Sequence, residues 1–324
     1  MAGNTATRTY TIKKRKIPKV GEIVNYTPDT PSTGYDLSTA KSGYSSAQTI
    51  DDKDDPKVWK IMEVDENGNI TKLLGIGSKY VRFKGSTGYN NGVYLLNDIC
   101  KSRYGNASLG ATARSLNIED IESRMNSKGI AARNAFKLGT VQYGTTRKYT
   151  SDKAYPAIYA QEKYSGINVS DVADGTQVIT GSVDTTAQSK MNPSGKTQNE
   201  DVYTAATIDT SKTDATSLTC TQTYYHMSSP SSYFNDSNFY SMIFGTGTNF
   251  WLASRCVNCD SKYSYADFGL RRVYRSVLNG NYLFYSFGSS NNDLNRLASA
   301  VSLGSGIQVK SGSGTESDPY VIGK

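Results

Sequence analysis

Trp251-Leu-Ala-Ser-Arg-Cys-Val-Asn-Cys259, Phe268-Gly-Leu-Arg271 and Leu278-Asn-Gly-Asn-Tyr-Leu-Phe284, closing on Ala300-Val-Ser-Leu303, form the stretch whose reading decides the fold. Apolar positions Trp251, Leu252, Val257, Phe268, Leu270, Val273, Leu278, Leu283 and Phe284 are interleaved with Asn, Tyr, Ser, Asp and Arg. Such interleaving predicts strands with one face in a core. Residues 256–295 hold six Asn, five Tyr and six Ser in forty positions. Tyrosine offers a large amphipathic contact with few rotors, and Asn and Ser offer adaptable hydrogen bonding, the palette of a binding surface. The same composition also suits a β-region exposed only for solubility.

Working outward, Tyr224-Tyr-His-Met227 and Tyr233 to Phe244 are dense in aromatic residues and are expected to pack beneath that surface. The end, Gly306-Ile-Gln-Val-Lys310 and then Gly312 to Ile322, reads as a strand, a Gly-rich turn and a closing strand. At the other end, Val20-Gly-Glu-Ile-Val-Asn-Tyr26 predicts a first strand. Val58 to Val64 and Ile70 to Ile76 predict a hairpin, with Asn67-Gly68 supplying positive backbone angles at its turn. Two amphipathic helices are predicted. Asn91–Lys101 places Val93, Leu96, Ile99 and Cys100 on one face, and Ser115–Met125 does so with Leu116, Ile118, Ile121 and Met125. Glu119, Asp120 and Glu122 then read as the solvated face of the second helix. Between Gly139 and Cys220 the chain is polar and poor in core residues. Residues 170–217 read as a polar insertion of surface loops or a hairpin, with short alternating runs at Gln177–Thr180 and Val202–Ile208.

The chain has 324 residues, 37% of them hydrophobic, and aromatic residues recur along most of it, so it is expected to fold. The net charge of +7 is spread out, apart from Lys13-Lys-Arg-Lys16 and Lys19 in a basic arm over residues 1–20. No nucleic-acid-binding signature accompanies that arm, which reads as solvated. The first 25 residues hold no apolar run of the secretory kind and no 18-residue apolar segment occurs anywhere. The expectation is synthesis in the cytoplasm without a signal peptide and no membrane span.

Catalytic signatures are missing. The nucleophile elbow, the P-loop and His-Glu-x-x-His do not occur, and the single histidine, His226, has no evident orienting carboxylate. Of Cys100, Cys220, Cys256 and Cys259, only Cys256 and Cys259 are closely spaced. A zinc site would need two more ligands, and a redox pair would need a helix N-terminus that the surroundings do not offer. No cofactor, metal or catalytic residue is expected.

Ala253-Ser-Arg-x-Val-x-Cys-x-Ser, Phe268-Gly-Leu-Arg-x-Val, Ser276-x-Leu-x-Gly and Leu283-Phe-x-Ser-x-Gly288 together resemble one family. This is the C-terminal variable region of diversity-generating retroelement target proteins from gut Firmicutes and their phages. The opening Val20 to Tyr26 with Trp59-Lys-Ile61, and the ending Gly314-Thr-x-x-x-Pro-Tyr-x-Ile322, resemble the same group. The chain departs from it at Leu297-Ala-Ser-Ala-Val-Ser-Leu303, where the family usually reads Leu-Arg-Pro-Val-Val-Ser-Leu.

The resemblance implies an α+β, C-type-lectin-like domain over 21–324, with small twisted antiparallel sheets flanked by two helices. Residues 251–303 would be its variable ligand-binding region. It further implies that substitution of adenines in Asn codons generates the residues at the intervening positions. The ligand-binding set is then Cys256, Asn258, Asp260, Lys262, Tyr263, Tyr265, Asp267, Arg272, Tyr274, Arg275, Val277, Asn279, Asn281, Tyr282, Tyr285 and Phe287. Lys262 does not follow from an Asn codon by that route. These side chains are expected to cluster on one exposed face, with Trp251, Phe268, Leu270, Leu283 and Val301 inside.

The implied function is adhesion or receptor binding from a virion or cell surface. The partner would be a protein or glycan on a bacterial cell, and the basic arm would contact other virion proteins. No calcium-dependent sugar-binding motif is present. The alternative is a static structural subunit of a virion or extracellular fibre. A formylglycine-generating-type enzyme, which shares the fold, ranks below both, because the residues around Cys256 and Cys259 do not resemble that branch.

Overall fold

The computed structural model describes residues 16–29, 34–135, 140–143, 180–181, 218–221, 226–260, 265–275, 277–285 and 294–324. In chain order the elements are β1 (Ile23–Asn25), β2 (Tyr35–Leu37), α1 (Thr39–Ser42), β3 (Gln48–Ile50), β4 (Trp59–Val64), β5 (Ile70–Val81), α2 (Gly85–Arg103), β6 (Thr112–Ser115), α3 (Ile118–Glu122) and α4 (Ser127–Ala135). They continue with β7 (Thr140–Tyr143), β8 (Thr180–Gly181), β9 (Leu218–Thr221), β10 (His226–Ser228), α5 (Ser237–Phe244), β11 (Phe250–Asp260), β12 (Tyr265–Tyr274), β13 (Val277–Tyr285), β14 (Asn295–Ser302), β15 (Gln308–Ser311) and β16 (Tyr320–Gly323). The fold is mixed α+β around one eleven-stranded sheet, ordered β10-β13-β12-β11-β14-β5-β4-β1-β16-β15, with β6 joined to β14. β1 and β16 pair in parallel, so the two ends of the domain meet in one sheet.

Period-2 alternation decides which face of this sheet each residue serves. Ile61 and Leu73 join one core with Trp59, Cys100, Tyr104 and Val301. Met62 and Leu74 join the other with Leu116, Ile121, Met242, Ile243, Phe250, Val273 and Leu278. Thus α2 covers one face while α3 and α5 cover the opposite one. Helix α5 begins at Asp236, whose carboxylate accepts from the amides of Asn238 and Phe239.

The β4–β5 hairpin forms as predicted, but its turn differs in kind. Gly68 alone takes a positive φ, 71°, while Asn67 does not. The Gly68 amide donates to the Asp65 carbonyl, and the Asp65 carboxylate accepts from the backbone and side-chain nitrogens of Asn69. The loop spans Asp65–Asn69 as expected, with the Asp65 carboxylate in place of a positive angle at Asn67 closing it.

Helix α2 carries Val93, Leu96, Ile99 and Cys100 into the interior, all fully buried, and extends beyond the predicted segment at both ends. The second predicted helix is much shorter. Ser115 belongs to β6, and α3 spans only Ile118–Glu122, started by an Asn117–Asp120 capping box. The reading of its acids as a solvated face is overturned. Asp120 and Glu122 are buried, and Arg114 holds the Asp120 carboxylate through two hydrogen bonds of 2.6 Å. A helix this short has little outer face to spare once Ile118 and Ile121 are anchored. Helix α4 was not foreseen.

In the basic arm, Lys16 is tied down: its Nζ donates to the Ser313 carbonyl at 2.9 Å and lies 4.6 Å from the Tyr320 ring centroid. Residues 1–15 lie outside the described residues, as does nearly all of the 170–217 insertion. Of its two expected strand runs only Thr180 is described, in β8, which joins β7 and β9 in a three-stranded sheet. No helix among the described residues is long and apolar enough to cross a membrane.

Candidate ligand-binding face

Strands β11, β12 and β13 form an antiparallel ribbon at one end of the sheet, with β10 on its outer edge. Trp251 fixes the ribbon to the body of the domain. It is fully buried, its Nε1–H donates to the Val81 carbonyl at 2.8 Å, and its ring meets Phe83 edge-on at 5.8 Å. Leu252, Leu270, Val273, Leu278, Leu283 and Val301 are also buried. The side chains of Val257, Phe268 and Phe284 lie outside the described residues.

The register of β12 and β13 pairs Leu270 with Asn281, Arg272 with Asn279, and Tyr274 with Val277. Cross-strand partners share a face. The three pairs therefore run in a row along one face, and Arg271, Val273, Leu278 and Gly280 occupy the other. At its inner end the row is covered by α2, where Gly92 sits so close to Leu270 that a Cβ would lie 2.5 Å from a Leu270 methyl. Toward the β12–β13 turn the cover ends, and Arg272, Asn279, Tyr274 and Val277 become accessible to solvent, with Arg275 exposed at the tip.

Tyr274 packs against two cations there, the guanidinium carbons of Arg272 and Arg275 being 4.7 and 5.2 Å from its ring centroid. This packing holds the ring and both cations in place at the surface. Arg275 has φ 56°, a left-handed conformation forced by the tight connection between Tyr274 and its partner Val277.

Two expected face positions are placed elsewhere. Asn281 is buried, because it pairs with Leu270 beneath α2, and its Nδ2 has no hydrogen-bond partner among the described residues. Tyr282 is half-buried on the opposite side of β13, one residue out of phase with Asn279 and Asn281. The remaining expected positions lie farther along the ribbon. Asn258 pairs with Asp267, and Asp267 with Tyr285, in the backbone register near the far end of the ribbon. Seven residues of strand, about 23 Å, separate Asp267 from Tyr274, and the buried Leu270, Arg271 and Leu283 lie between. Cys256 and Asp260 on β11 and Tyr265 on β12 belong to that far half. The side chains of these six residues lie outside the described ones. Lys262, Tyr263 and Phe287 lie outside the described residues altogether.

Sequence reasoning assigned no role to Arg271, which is fully buried. Burial pushes its pKa down to about 9, against the opposing pull of Glu122 and Glu119 on α3. Burial likewise raises Glu119 to about 8, helped by Glu122 and Asp120 and opposed by its own backbone amide and by Arg271. A second buried guanidinium, Arg103, is held by Asp52 and Asp55 at 2.8–2.9 Å. The doublet Arg271-Arg272 carries no periodic signal, since one of the two must face inward whichever way the strand lies.

No group of three His, Cys, Asp or Glu side chains among the described residues could hold a metal ion. Cys100 is buried and free, with its thiol pushed up to about 12 by burial, which outweighs the lowering effects of a Ser299 hydrogen bond and of the Arg114 charge. His226 sits on β10, and Cys256 and Cys259 sit on β11; their side chains lie outside the described residues. No protein-family model, curated protein or solved structure matches the chain.

Proposed function

We propose that this chain is a C-type-lectin-type variable protein whose β11–β13 ribbon binds a protein or glycan on a bacterial surface. It would be displayed from a virion or a cell and diversified by a retroelement. The observation that carries the reading is the division of labour on β12 and β13. Leu270, Arg271, Val273, Leu278 and Leu283 are fully buried, while the interleaved Arg272, Tyr274, Val277 and Asn279 reach solvent on one face. A ribbon so built tolerates substitution on its open face without disturbing the core, as diversification requires. Tyr274, packed against Arg272 and Arg275, is the kind of rigid anchor that contributes about 2 kcal/mol or more to an interface. Display in many copies would let weak single contacts suffice.

Two measurements test this reading. Sequencing the gene and its flanks from many cells of one lineage should show substitutions at the interleaved positions, matched to adenines in a nearby repeat. An invariant stretch with no such repeat would leave a static structural subunit. Binding of the purified chain to a panel of bacterial cells should then be lost on Tyr274→Ala with Arg272→Ala at unchanged thermal stability. Retention of all binding by that double variant would remove the turn end of the ribbon from the site. Substitution at Asn258, Asp267 and Tyr285 would test the far end in the same assay.

A further inference from the structure

Away from the ribbon, on the sheet face that carries α5, a cavity of about 490 Å³ opens between β4, β5 and the segment following that helix. Its volume lies within the range of small-molecule sites. Leu74, Ile76 and Gly77 on β5 and Met242 on α5 line it. The stretch from Leu74 to Ser78 gives that lining a length of about 13 Å.

The charges around it are unequal. Lys57, Lys60 and Arg296 line the cavity with two acids, Asp55 and Glu316. Asp55 is already engaged, with both carboxylate oxygens on Arg103 at 2.8–2.9 Å, and Glu316 is exposed on the β15–β16 turn. Lys60 is half-buried and points from the same strand face as Met62. Among the described residues no hydrogen bond or ion pair engages its ammonium. Arg296 lies 5.2 Å from the Tyr80 ring centroid, a stacking that holds the guanidinium plane, and its Nε is buried without a hydrogen-bond partner among the described residues. Leaving a buried charged donor unsatisfied is costly, and an arginine edge fits a carboxylate through two parallel hydrogen bonds.

We propose that this cavity binds a small amphiphilic carboxylate. The carboxylate would sit against the edge of Arg296, and an apolar body of about eight carbons would lie along Leu74, Ile76 and Met242. Lys60 raises the positive potential of the cavity without contacting the head group. This site is independent of the binding face on β11–β13.

Octanoate is the probe, with octanol as its neutral counterpart, titrated into the full chain labelled at its methionine methyl groups. Saturable movement of the Met242 methyl resonance by octanoate is expected, with octanol binding at least about tenfold more weakly. Arg296→Gln should weaken octanoate by a similar factor and Lys60→Gln by less, both at unchanged folding. Absence of a saturable Met242 response, or equal affinity for octanoate and octanol, would overturn the proposal. So would a folded Arg296→Gln variant that binds octanoate as tightly as the parent. The octanol comparison uses the unaltered chain, so it decides the matter even if a variant fails to fold.

Discussion

Arg271 and Arg272 are chemically identical neighbours with opposite surroundings, and this makes them a sharp test of the ribbon. Arg271 is fully buried, opposite the Glu119 and Glu122 carboxylates of α3, whereas Arg272 is accessible beside Tyr274. Removing one member of a buried charge pair strands the other in low dielectric and costs about 3–5 kcal/mol. At 2–4 °C per kcal/mol, Arg271→Met should lower the unfolding midpoint by roughly 6–20 °C. Arg272→Ala removes a partly exposed side chain that packs on Tyr274 and strands no buried charge, so it should cost about 1 kcal/mol, a shift of roughly 2–4 °C. Thermal unfolding followed by circular dichroism, on the two variants and the parent, measures both shifts. The buried pair makes a further demand. Adding Glu119→Gln and Glu122→Gln to Arg271→Met should restore much of the lost stability, because Glu122, left without its cation, is then neutral, and Glu119, already protonated below about pH 8, loses no charge. Equal midpoints for the two single variants, or a larger loss at Arg272, would refute the assignment of faces. No recovery in the triple variant would refute the charge argument alone.

Three further outcomes follow from the same geometry. Arg275→Gly relieves a left-handed backbone at φ 56° and should stabilise the chain by about 1 kcal/mol in urea unfolding; a loss of stability would show that the cation–π contact with Tyr274 outweighs the strain. Glu119 has a folded pKa of about 8, above its ordinary 4.5, so between those values the unfolded chain binds fewer protons and stability falls as pH rises. The melting temperature should therefore decline from pH 5 to pH 8, and Glu119→Gln should flatten that decline. Trp251→Phe leaves the Val81 carbonyl without the 2.8 Å indole donor and should cost about 1–3 kcal/mol, read as a lower urea midpoint.

Much of this architecture was legible in the order of residues. The alternation of Val58 to Val64 and Ile70 to Ile76 specified a hairpin, and the spacing of Val93, Leu96, Ile99 and Cys100 specified a helix, because strand and helix periods are properties of the local backbone. Within the ribbon, Trp251, Leu270, Val273, Leu278 and Leu283 were recognisable as interior by the same rule, and all are buried. The resemblance to a variable family, and not composition, marked Tyr274 and Asn279 as candidate contacts.

What local pattern could not decide is what each face meets. Asn281 has the same residue type and strand phase as Asn279, yet it is buried because α2, almost two hundred residues earlier in the chain, covers its partner Leu270. Glu122 and Asp120 lie inward because α3 is a single short turn wedged against the ribbon, with Arg114 and Arg271 waiting on other elements. Sequence determined the periodicities, and with them which residues share a face. Tertiary packing alone determined which faces are covered and where the cover ends, because burial depends on elements brought together from distant parts of the chain.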